Sequence, residues 1–438
     1  MSNTSLKTSG EWKKWREINW KKVERRVFKL QKRIYRASQR GDVIVVRKLQ
    51  KILIKSWYGK LLAVRRVSQS NQGEKTARVG DIKSLSPEKC FALAKKLKLN
   101  SKVKPIRSAV QDLVGQILVK MALENQWEAK FELYSYGLRE KSCQDAIEAI
   151  FNCIKLKPRY VLRANMVECL ECFDYEQLLK KLDTYPTLHK LIRVWLKDSV
   201  MDGKELFLTE KVIFPLLANI AFHGIGEQIK HYAETVNDKY QGLSLIRYAD
   251  NLAIAHEDIE VVQKCQHIIT ESLSDLCLKF KPSQIRISHT LYICGREKPG
   301  FDFLGFNIRQ YKVSKNQSKL GFKTKIKPSA ENIRSHYGQI SEVIDKHKSA
   351  SQAVLIGTIN PLIKSWVNHY SAVVNQKTFQ YLDNLIFQKL WRWAKRRHPN
   401  QNNCWIYQKY WPTIGKNKRE FFSSGKNSSR FRLLRHTD

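Results

Sequence analysis

The segment Leu245–His256, LIRYADNLAIAH, decides how the centre of this chain folds. Two apolar runs flank the short turn at Ala249-Asp250, and apolar runs that meet at such a turn are typical of a β-hairpin. Because both runs are apolar on both faces, the strands are predicted to lie in the middle of a sheet. The turn then holds the Asp250 carboxylate at its tip, with the amide of Asn251 beside it.

Length and charge limit the possible functions. The chain has 438 residues, 42% of them hydrophobic, which predicts two or three domains with an ample core. Lys and Arg number 79 against 40 Asp and Glu, giving a net charge of +39. This excess favours a polyanionic partner, and nucleic acid is the leading candidate. An acidic membrane surface is the alternative, but no apolar run approaches the roughly 18 residues that span a bilayer.

The cysteines and the N-terminus indicate a reducing compartment. Nine cysteines occur at irregular intervals, and the pair Cys169 and Cys172 has no second pair at zinc-binding spacing. We interpret them as buried or half-buried thiols. The first ten residues lack the apolar core of a secretory signal.

Residues 20–36 predict a basic amphipathic helix, because apolar residues recur there at helical spacing. A solvated face on a core-packed helix is the ordinary interpretation. However, the first 66 residues carry 20 basic against 4 acidic side chains, an imbalance that repels itself unless a phosphate backbone neutralises it. The side chains predicted to contact nucleic acid here are Arg25, Arg26, Lys29 and Arg33.

A second cationic cluster lies near the end of a helix predicted over residues 378–397, where Trp391 and Trp393 alternate with basic residues. Guanidinium groups bind phosphate through two hydrogen bonds, and exposed aromatic rings stack on unpaired bases. Ordinary core packing is the alternative, and it is the one we favour for Trp391. The predicted contacts in this cluster are Arg392, Lys395, Arg396 and Arg397.

Several motifs together resemble the group II intron reverse transcriptase/maturase family over most of the chain. They are the Tyr248-Ala249-Asp250 turn, the segment GFDFLGFNI at Gly300–Ile308, and the segments Asn360–Tyr370 and Leu390–Pro399. The resemblance implies an α+β fold, with right-hand polymerase-like fingers and an antiparallel palm sheet followed by a helical thumb/maturase (X) domain. It also implies that Gly300–Ile308 packs the last palm strands against the next domain.

From this resemblance we expect four parts. They are a basic N-terminal helical extension (1–66), degenerate reverse transcriptase fingers and palm (67–310), a helical thumb/maturase domain (311–411) and a basic C-terminal tail (412–438). We expect no C-terminal nuclease domain of the kind that many relatives carry.

The same resemblance indicates a degenerate metal site. Polymerases of this kind hold two divalent cations with three aspartates from two motifs. Here Asn165 and Asn251 stand where two of those aspartates are expected, which leaves Asp250 as a remnant. An amide oxygen brings no charge to offset two closely spaced cations. Glu168 is a poor substitute, since strand alternation turns residue 167, not 168, to the face of residue 165. Asp250 is then either a residual metal ligand or a turn-capping aspartate.

Three further departures affect the nucleotide site. Lys104–Ser108 replaces a basic hairpin, no glycine occurs between Gly203 and Gly224 where the family has a glycine-rich loop, and Gln284 replaces a lysine. Together with the lost carboxylates, these changes predict that polymerase activity is lost.

The resemblance therefore implies an RNA-binding maturase that stabilises the splicing-competent fold of a group II intron RNA. No cofactor is expected to be required, and Mg²⁺ would be needed only for residual polymerase activity. The alternatives are an active RNA-directed DNA polymerase and a decayed reading frame without function. The expected partner is group II intron RNA and not a membrane, while DNA during intron mobility and the oligomeric state stay open. The expected location is the cytoplasm of a bacterium, or an organelle in a eukaryote.

Overall fold

The computed structural model describes residues 15–70, 86–99, 109–132, 134–137, 141–165, 175–201, 212–236, 242–274, 285–370, 373, 376–414, 418–424 and 430–438. The chain forms two compact units, the first made of Met1–Ala146 and Leu162–Arg286 and the second of Ile147–Val161 and Ile287–Asp438. The four-part division expected from the sequence has different boundaries and stays a prediction.

The first unit begins with helices that pack around a common apolar core. They are α1 (Trp20–Gln39), α2 (Val43–Lys55), α3 (Trp57–Ser70), α4 (Pro87–Lys96) and α5 (Ala109–Glu128). A break separates α1 from α2: Gly41 has a φ of +71°, and the Asp42 side chain accepts a hydrogen bond from Val45 N at 3.0 Å to cap α2.

Helix α1 is amphipathic, as predicted. Val23, Val27, Ile34 and Ala37 are buried along one side. The core side also carries the buried side chain of Gln31, whose Nε2 donates to the Met121 carbonyl oxygen on α5 at 3.1 Å. The remaining surface of α1 is left to solvent.

The predicted hairpin is confirmed. Strands β3 (Ser244–Tyr248) and β4 (Asn251–His256) are antiparallel, with Tyr248 opposite Asn251. Ala249 has a φ of +52°, and a left-handed residue at the first central position matches the type II′ hairpin turn. Ile254 and Leu252 are buried, so the hairpin lies within the core as its apolar runs indicate.

The hairpin is part of a five-stranded sheet that lies mostly in the first unit. Its order is β1-β3-β4-β2-β5, where β1 is Ser135–Tyr136, β2 is Tyr160–Asn165 and β5 is Ile285–His289. The expectation of an antiparallel sheet is wrong for β1, which pairs with β3 in parallel. The other helices of this region are α6 (Cys143–Ile154), α7 (Tyr175–Leu182), α8 (Pro186–Met201), α9 (Phe214–Ala221), α10 (Ile225–Val236) and α11 (Ile259–Ser274). The assignment of these elements to fingers and palm stays a prediction.

The second unit contains an antiparallel three-stranded sheet followed by helices. The strands are β6 (Phe301–Phe303), β7 (Phe306–Lys312) and β8 (Phe322–Pro328). The strands are followed by α12 (Ala330–Lys346), α13 (Gln352–Tyr370), α14 (Gln376–Arg397) and α15 (Asn403–Tyr410), and α14 confirms the helix predicted over residues 378–397. Four short strands end the chain: β9 (Thr413–Ile414), β10 (Lys418–Arg419), β11 (Phe422–Ser424) and β12 (Arg430–Arg432).

The turn between β6 and β7 confirms a structural role for the Phe-Leu-Gly-Phe motif. Leu304 and Gly305 have φ values of +49° and +82°, the type I′ pattern that favours glycine. The Gly305 carbonyl oxygen accepts hydrogen bonds from Ser329 N at 2.8 Å and from the Tyr370 hydroxyl at 3.1 Å. Phe306 packs on Tyr370 with ring centroids 4.8 Å apart. The motif therefore fastens the strands to α12 and α13.

Several sequence-based predictions concern residues outside those that the structure describes. These are Lys104–Ser108, Glu168, Cys169, Cys172, Gln284 and residues 204–211 of the segment between Gly203 and Gly224. Among the described cysteines, Cys90 and Cys265 are buried and Cys143, Cys153 and Cys294 are half-buried, as predicted, whereas Cys404 is exposed.

Candidate nucleic-acid interface

The Asp250 turn holds one half-buried carboxylate. The Asn251 side-chain amide donates a hydrogen bond to Asp250 Oδ2 at 3.2 Å. Burial raises the pKa of Asp250 above its ordinary value. The Asn251 amide thus binds the neighbouring carboxylate, and the choice between a residual metal ligand and a turn-capping aspartate stays a prediction.

The described residues do not fit a pair of divalent cations. Asn165 ends β2 and is half-buried, so the first expected carboxylate is a neutral amide there. Within the described ranges, no group of three or more His, Cys, Asp or Glu side chains could hold a metal ion. Two Mg²⁺ ions carry four positive charges, and a single half-buried carboxylate offsets only one of them.

The predicted cationic surface on α1 is exposed. Arg25, Arg26, Lys29 and Arg33 all lie on the solvent side of the helix. The helix also carries Glu24, but its carboxylate pairs with Arg65 at 2.8 Å. We call the four exposed cations the α1 cluster.

The predicted cluster on α14 divides into two kinds of residue. Arg392, Lys395 and Arg396 are exposed and available to a ligand. Arg397 is half-buried, and its Nη1 donates to the carbonyl oxygens of Lys348 at 2.9 Å and Ala350 at 2.8 Å. It therefore holds the connection between α12 and α13, a role that the sequence did not reveal.

The two tryptophans of α14 both pack against the core of the second unit but differ in burial. Trp393 is only 4% exposed, and its Nε1 donates to the His347 carbonyl oxygen at 3.0 Å, so it cannot stack on a base. Trp391, which we expected in the core, is half-buried beside Lys395, whose Nζ lies 5.8 Å from the ring centroid. Trp391 lines a shallow apolar pocket with Phe387 and Tyr407.

A buried ionic network that was not predicted from the sequence supports the hairpin within the first unit. Arg247 on β3 places Nη2 at 3.2 Å from Glu132 Oε2 and at 2.9 Å from Ser135 Oγ, while its Nη1 donates to the Asn219 carbonyl oxygen at 3.1 Å. The other Glu132 oxygen lies 2.8 Å from His223 Nδ1. An arginine in the middle of an apolar strand is the sequence signal for such a network.

These contacts shift the pKa values of the network. Burial alone would raise the pKa of Glu132, but the hydrogen bond from His223 and the charge of Arg247 lower it to about 2. Burial lowers the pKa of Lys181 to about 8, although Glu132 opposes this shift. The Lys181 ammonium donates to the carbonyl oxygens of Ala221 and His223. The buried ion pair of Glu132 with Arg247, which lies three residues before Asp250, thus supports the hairpin structurally.

A second buried polar chain fixes the end of the chain in the second unit. His436 Nδ1 lies 2.7 Å from Asp383 Oδ1, and the other ring nitrogen lies 2.8 Å from His336 Nε2. Burial, followed by the proximity of His436, lowers the pKa of His336 to about 3. The residues are up to 100 positions apart in the chain, so no local pattern could have indicated the contact.

Two family models match this sequence. Residues 15–97 match the N-terminal domain of reverse transcriptase, and residues 333–411 match the group II intron maturase-specific domain. Maturase-like protein 1 of Euglena longa is 27% identical, over 81% of this chain and 77% of its own length. Together these matches support a protein of the group II intron maturase/reverse transcriptase family. The reverse transcriptase match includes the α1 cluster, and the maturase-specific match includes α14.

Other similar proteins are more distant. Maturase-like protein 1 of Euglena gracilis is 24% identical over 80% of this chain and 76% of its own length. A solved structure of telomerase from Candida albicans, in complex with a fragment of telomeric RNA, shares 10% identity with a TM-score of 0.34, over 77% of this chain and 59% of that one. A TM-score this low does not establish a shared fold. None of the described helices is both long and apolar enough to cross a bilayer.

Proposed function

We propose that this maturase-family protein binds group II intron RNA and stabilises its splicing-competent fold without acting as a polymerase. The observation that carries the proposal is the placement of two exposed cationic clusters within the two family matches. The α1 cluster lies in the reverse transcriptase N-terminal match, and Arg392, Lys395 and Arg396 lie in the maturase-specific match.

The charge on α1 favours a phosphate backbone as its ligand. Arg25, Lys29 and Arg33 are four residues apart and form one row on the helix, where like charges repel each other. Each phosphate that approaches replaces this repulsion with attraction and releases a condensed counterion. Arginine also presents a planar fork that matches a phosphate through two hydrogen bonds.

Binding of this kind can promote splicing without any protein catalysis. A ligand shifts a conformational equilibrium only by the difference in its affinity for the two states. A protein that contacts phosphates brought together only in the folded intron binds that fold more tightly, and the RNA supplies the chemistry. Because no protein cofactor takes part in this role, we propose that none is required.

The loss of polymerase activity is part of the proposal. Asn165 and Asn251 supply amides at two expected carboxylate positions, and the remaining carboxylate of Asp250 is half-buried with a raised pKa. Primer extension on an RNA template with Mg²⁺ or Mn²⁺ tests this. We expect no extension by the unmodified protein. Extension that Asp250→Ala abolishes would overturn this part and favour the active polymerase.

RNA binding is tested by the salt dependence of affinity for an intron transcript. Each neutralised phosphate contributes about 0.7 to 0.9 to the slope of log affinity against log salt. The variant Arg25→Gln/Arg26→Gln/Lys29→Gln/Arg33→Gln should therefore reduce the slope by about 3. The control changes four exposed lysines of the second unit to Gln: Lys319, Lys346, Lys364 and Lys377. Equal slopes for the protein and the α1 variant would contradict the proposed role of α1.

The remaining features of the proposal concern location and partners. The Euglena relatives are eukaryotic proteins, and one of them, 22% identical over 63% of this chain, is named for its place in psbD intron 8. We therefore propose an organellar location if the source is a eukaryote and a bacterial cytoplasm otherwise. DNA as a partner during intron mobility stays a secondary proposal.

A further inference from the structure

The three-stranded sheet of the second unit has one apolar face and one cationic face. Phe306, Ile308 and Gln310 of β7 are buried, and the alternate residues Asn307, Arg309 and Tyr311 point to the opposite face. The register places Lys327, Lys325 and Lys323 of β8 directly across from those three residues. We call these six residues the β7–β8 face.

Like charges are brought together on this face by the strand pairing itself. Arg309 lies directly opposite Lys325, an arrangement that is destabilising in an isolated sheet. Lys323 and Lys325 are exposed, and Lys327 and Arg309 are half-buried. Strand pairing also places Asp302 of β6 on this face, opposite Asn307, whose Nδ2 donates to Asp302 Oδ1 at 2.7 Å. This carboxylate offsets one of the four positive charges. The face thus carries a concentrated positive charge that an external anion can neutralise.

An aromatic ring lies within this charge. The Arg309 guanidinium carbon is 4.8 Å from the Tyr311 ring centroid, and Lys325 Nζ is 5.4 Å from it. The tyrosine is half-buried, so part of its surface stays accessible. Cations beside an aromatic platform are the combination that binds single-stranded nucleic acid, with the cations on phosphates and the ring against a base.

We propose that the β7–β8 face binds single-stranded RNA, with the backbone along the lysine row of β8 and a base on Tyr311. Alternate residues of a strand are about 6.7 Å apart, so the three lysines form a regular row. That spacing suits successive phosphates of one extended strand. The inference rests on the proposed RNA-binding function. It adds a third contact surface, and the ligand of this surface is single-stranded RNA.

The test measures affinity for a short oligouridylate and for an RNA duplex as salt is varied. Three lysine contacts to a single strand contribute about 0.7 each, so Lys323→Gln/Lys325→Gln/Lys327→Gln should reduce the slope by about 2. Tyr311→Leu should weaken oligouridylate binding about 5- to 150-fold and change duplex binding little. The matched control, Lys346→Gln/Lys364→Gln/Lys377→Gln, removes three exposed lysines elsewhere in the unit and should keep the slope.

The outcomes separate this inference from the proposed function. If the unmodified protein binds neither oligouridylate nor intron transcript, the proposed function fails and this inference fails with it. If it binds intron RNA but the β7–β8 variant keeps the oligouridylate slope, only this inference is overturned. The same titration is also made with polyglutamate. If the β7–β8 variant loses its binding to polyglutamate while its binding to RNA persists, the face binds an acidic protein, which also overturns this inference. Thermal unfolding by circular dichroism confirms that each variant is folded.

Discussion

Replacing Glu132 by Gln should destabilise the first unit, because it removes the partner of a buried arginine. The side chains of Glu132 and Arg247 are each 4% exposed. Removing one member of a buried ion pair leaves the other charge without compensation, at a cost of about 3 to 5 kcal/mol. Gln keeps the size of the side chain, so the change acts through charge rather than through a cavity.

The pKa shift of Glu132 gives a second value for the stabilisation that this carboxylate contributes. The pKa of Glu132 falls from an ordinary value of 4.5 to about 2 in the folded protein. At about 1.4 kcal/mol per pKa unit, this difference stabilises the fold by about 3 kcal/mol at neutral pH. Because the folded pKa is depressed, the stabilisation is fully present above pH 4.5 and is lost as the pH falls toward 2. The cost of breaking the buried ion pair and the shift in pKa therefore both give a stabilisation of about 3 kcal/mol.

The assay is urea unfolding at pH 7 and at pH 3, with hydrogen exchange of residues 242–250 to assign the change to the first unit. We expect Glu132→Gln to be about 3 kcal/mol less stable at pH 7 and only about 1.5 kcal/mol less stable at pH 3. The control is Glu176→Gln, which breaks an exposed pair with Arg193 and should cost at most about 0.5 kcal/mol. A Glu132→Gln difference that is the same at both pH values would refute the reasoning.

Three more predictions concern the second unit. Gly305→Ala should lower the stability of the fold by about 2 to 3 kcal/mol, because φ is positive at this position and because the added Cβ would displace the Asn332 amide. In Gly357→Ala, on α13, the added Cβ meets nothing within 4 Å, so this variant should be more stable by up to about 1 kcal/mol. Thermal or urea unfolding distinguishes the two, and equal effects would contradict the account of the β6–β7 turn. Arg397→Gln should lower stability by about 1 to 3 kcal/mol, since Lys348 and Ala350 lose their hydrogen bonds, whereas Arg396→Gln should weaken RNA binding without destabilising the fold. Acid should loosen residues 430–438, because the depressed pKa of His336 contributes stability above pH 6.5 that is lost toward pH 3. The hydrogen-exchange protection of that segment, taken relative to the intrinsic exchange rate at each pH, should fall below pH 6.5, and His336→Gln should remove most of that fall.

Local patterns allowed part of the fold to be predicted from the sequence. The β3–β4 hairpin follows from two apolar runs and a short turn, and the helices of the second unit follow from apolar periodicity. The exposed α1 cluster could be predicted for the same reason, since its cations lie between the apolar positions of one helix.

The features that could not be predicted from the sequence depend on contacts between residues far apart in the chain. Arg247 and Glu132 are 115 residues apart, and the register that brings Arg309 opposite Lys325 depends on how two strands pair. The sequence also could not show that Trp393 is buried in the core while Trp391 packs against the core half-buried. Which of the two tryptophan rings is covered depends on how α15 and the connection before α13 pack against α14.

The central claim is that the protein acts on intron RNA by binding it, and splicing tests this most directly. The measurement is the splicing rate of a transcript containing the group II intron that encodes or neighbours the gene, at near-physiological salt. We predict that the protein increases the rate, that Asp250→Ala leaves the increase unchanged, and that the α1 variant loses most of it. An unchanged rate with the protein present, or an increase that Asp250→Ala abolishes, would contradict the account.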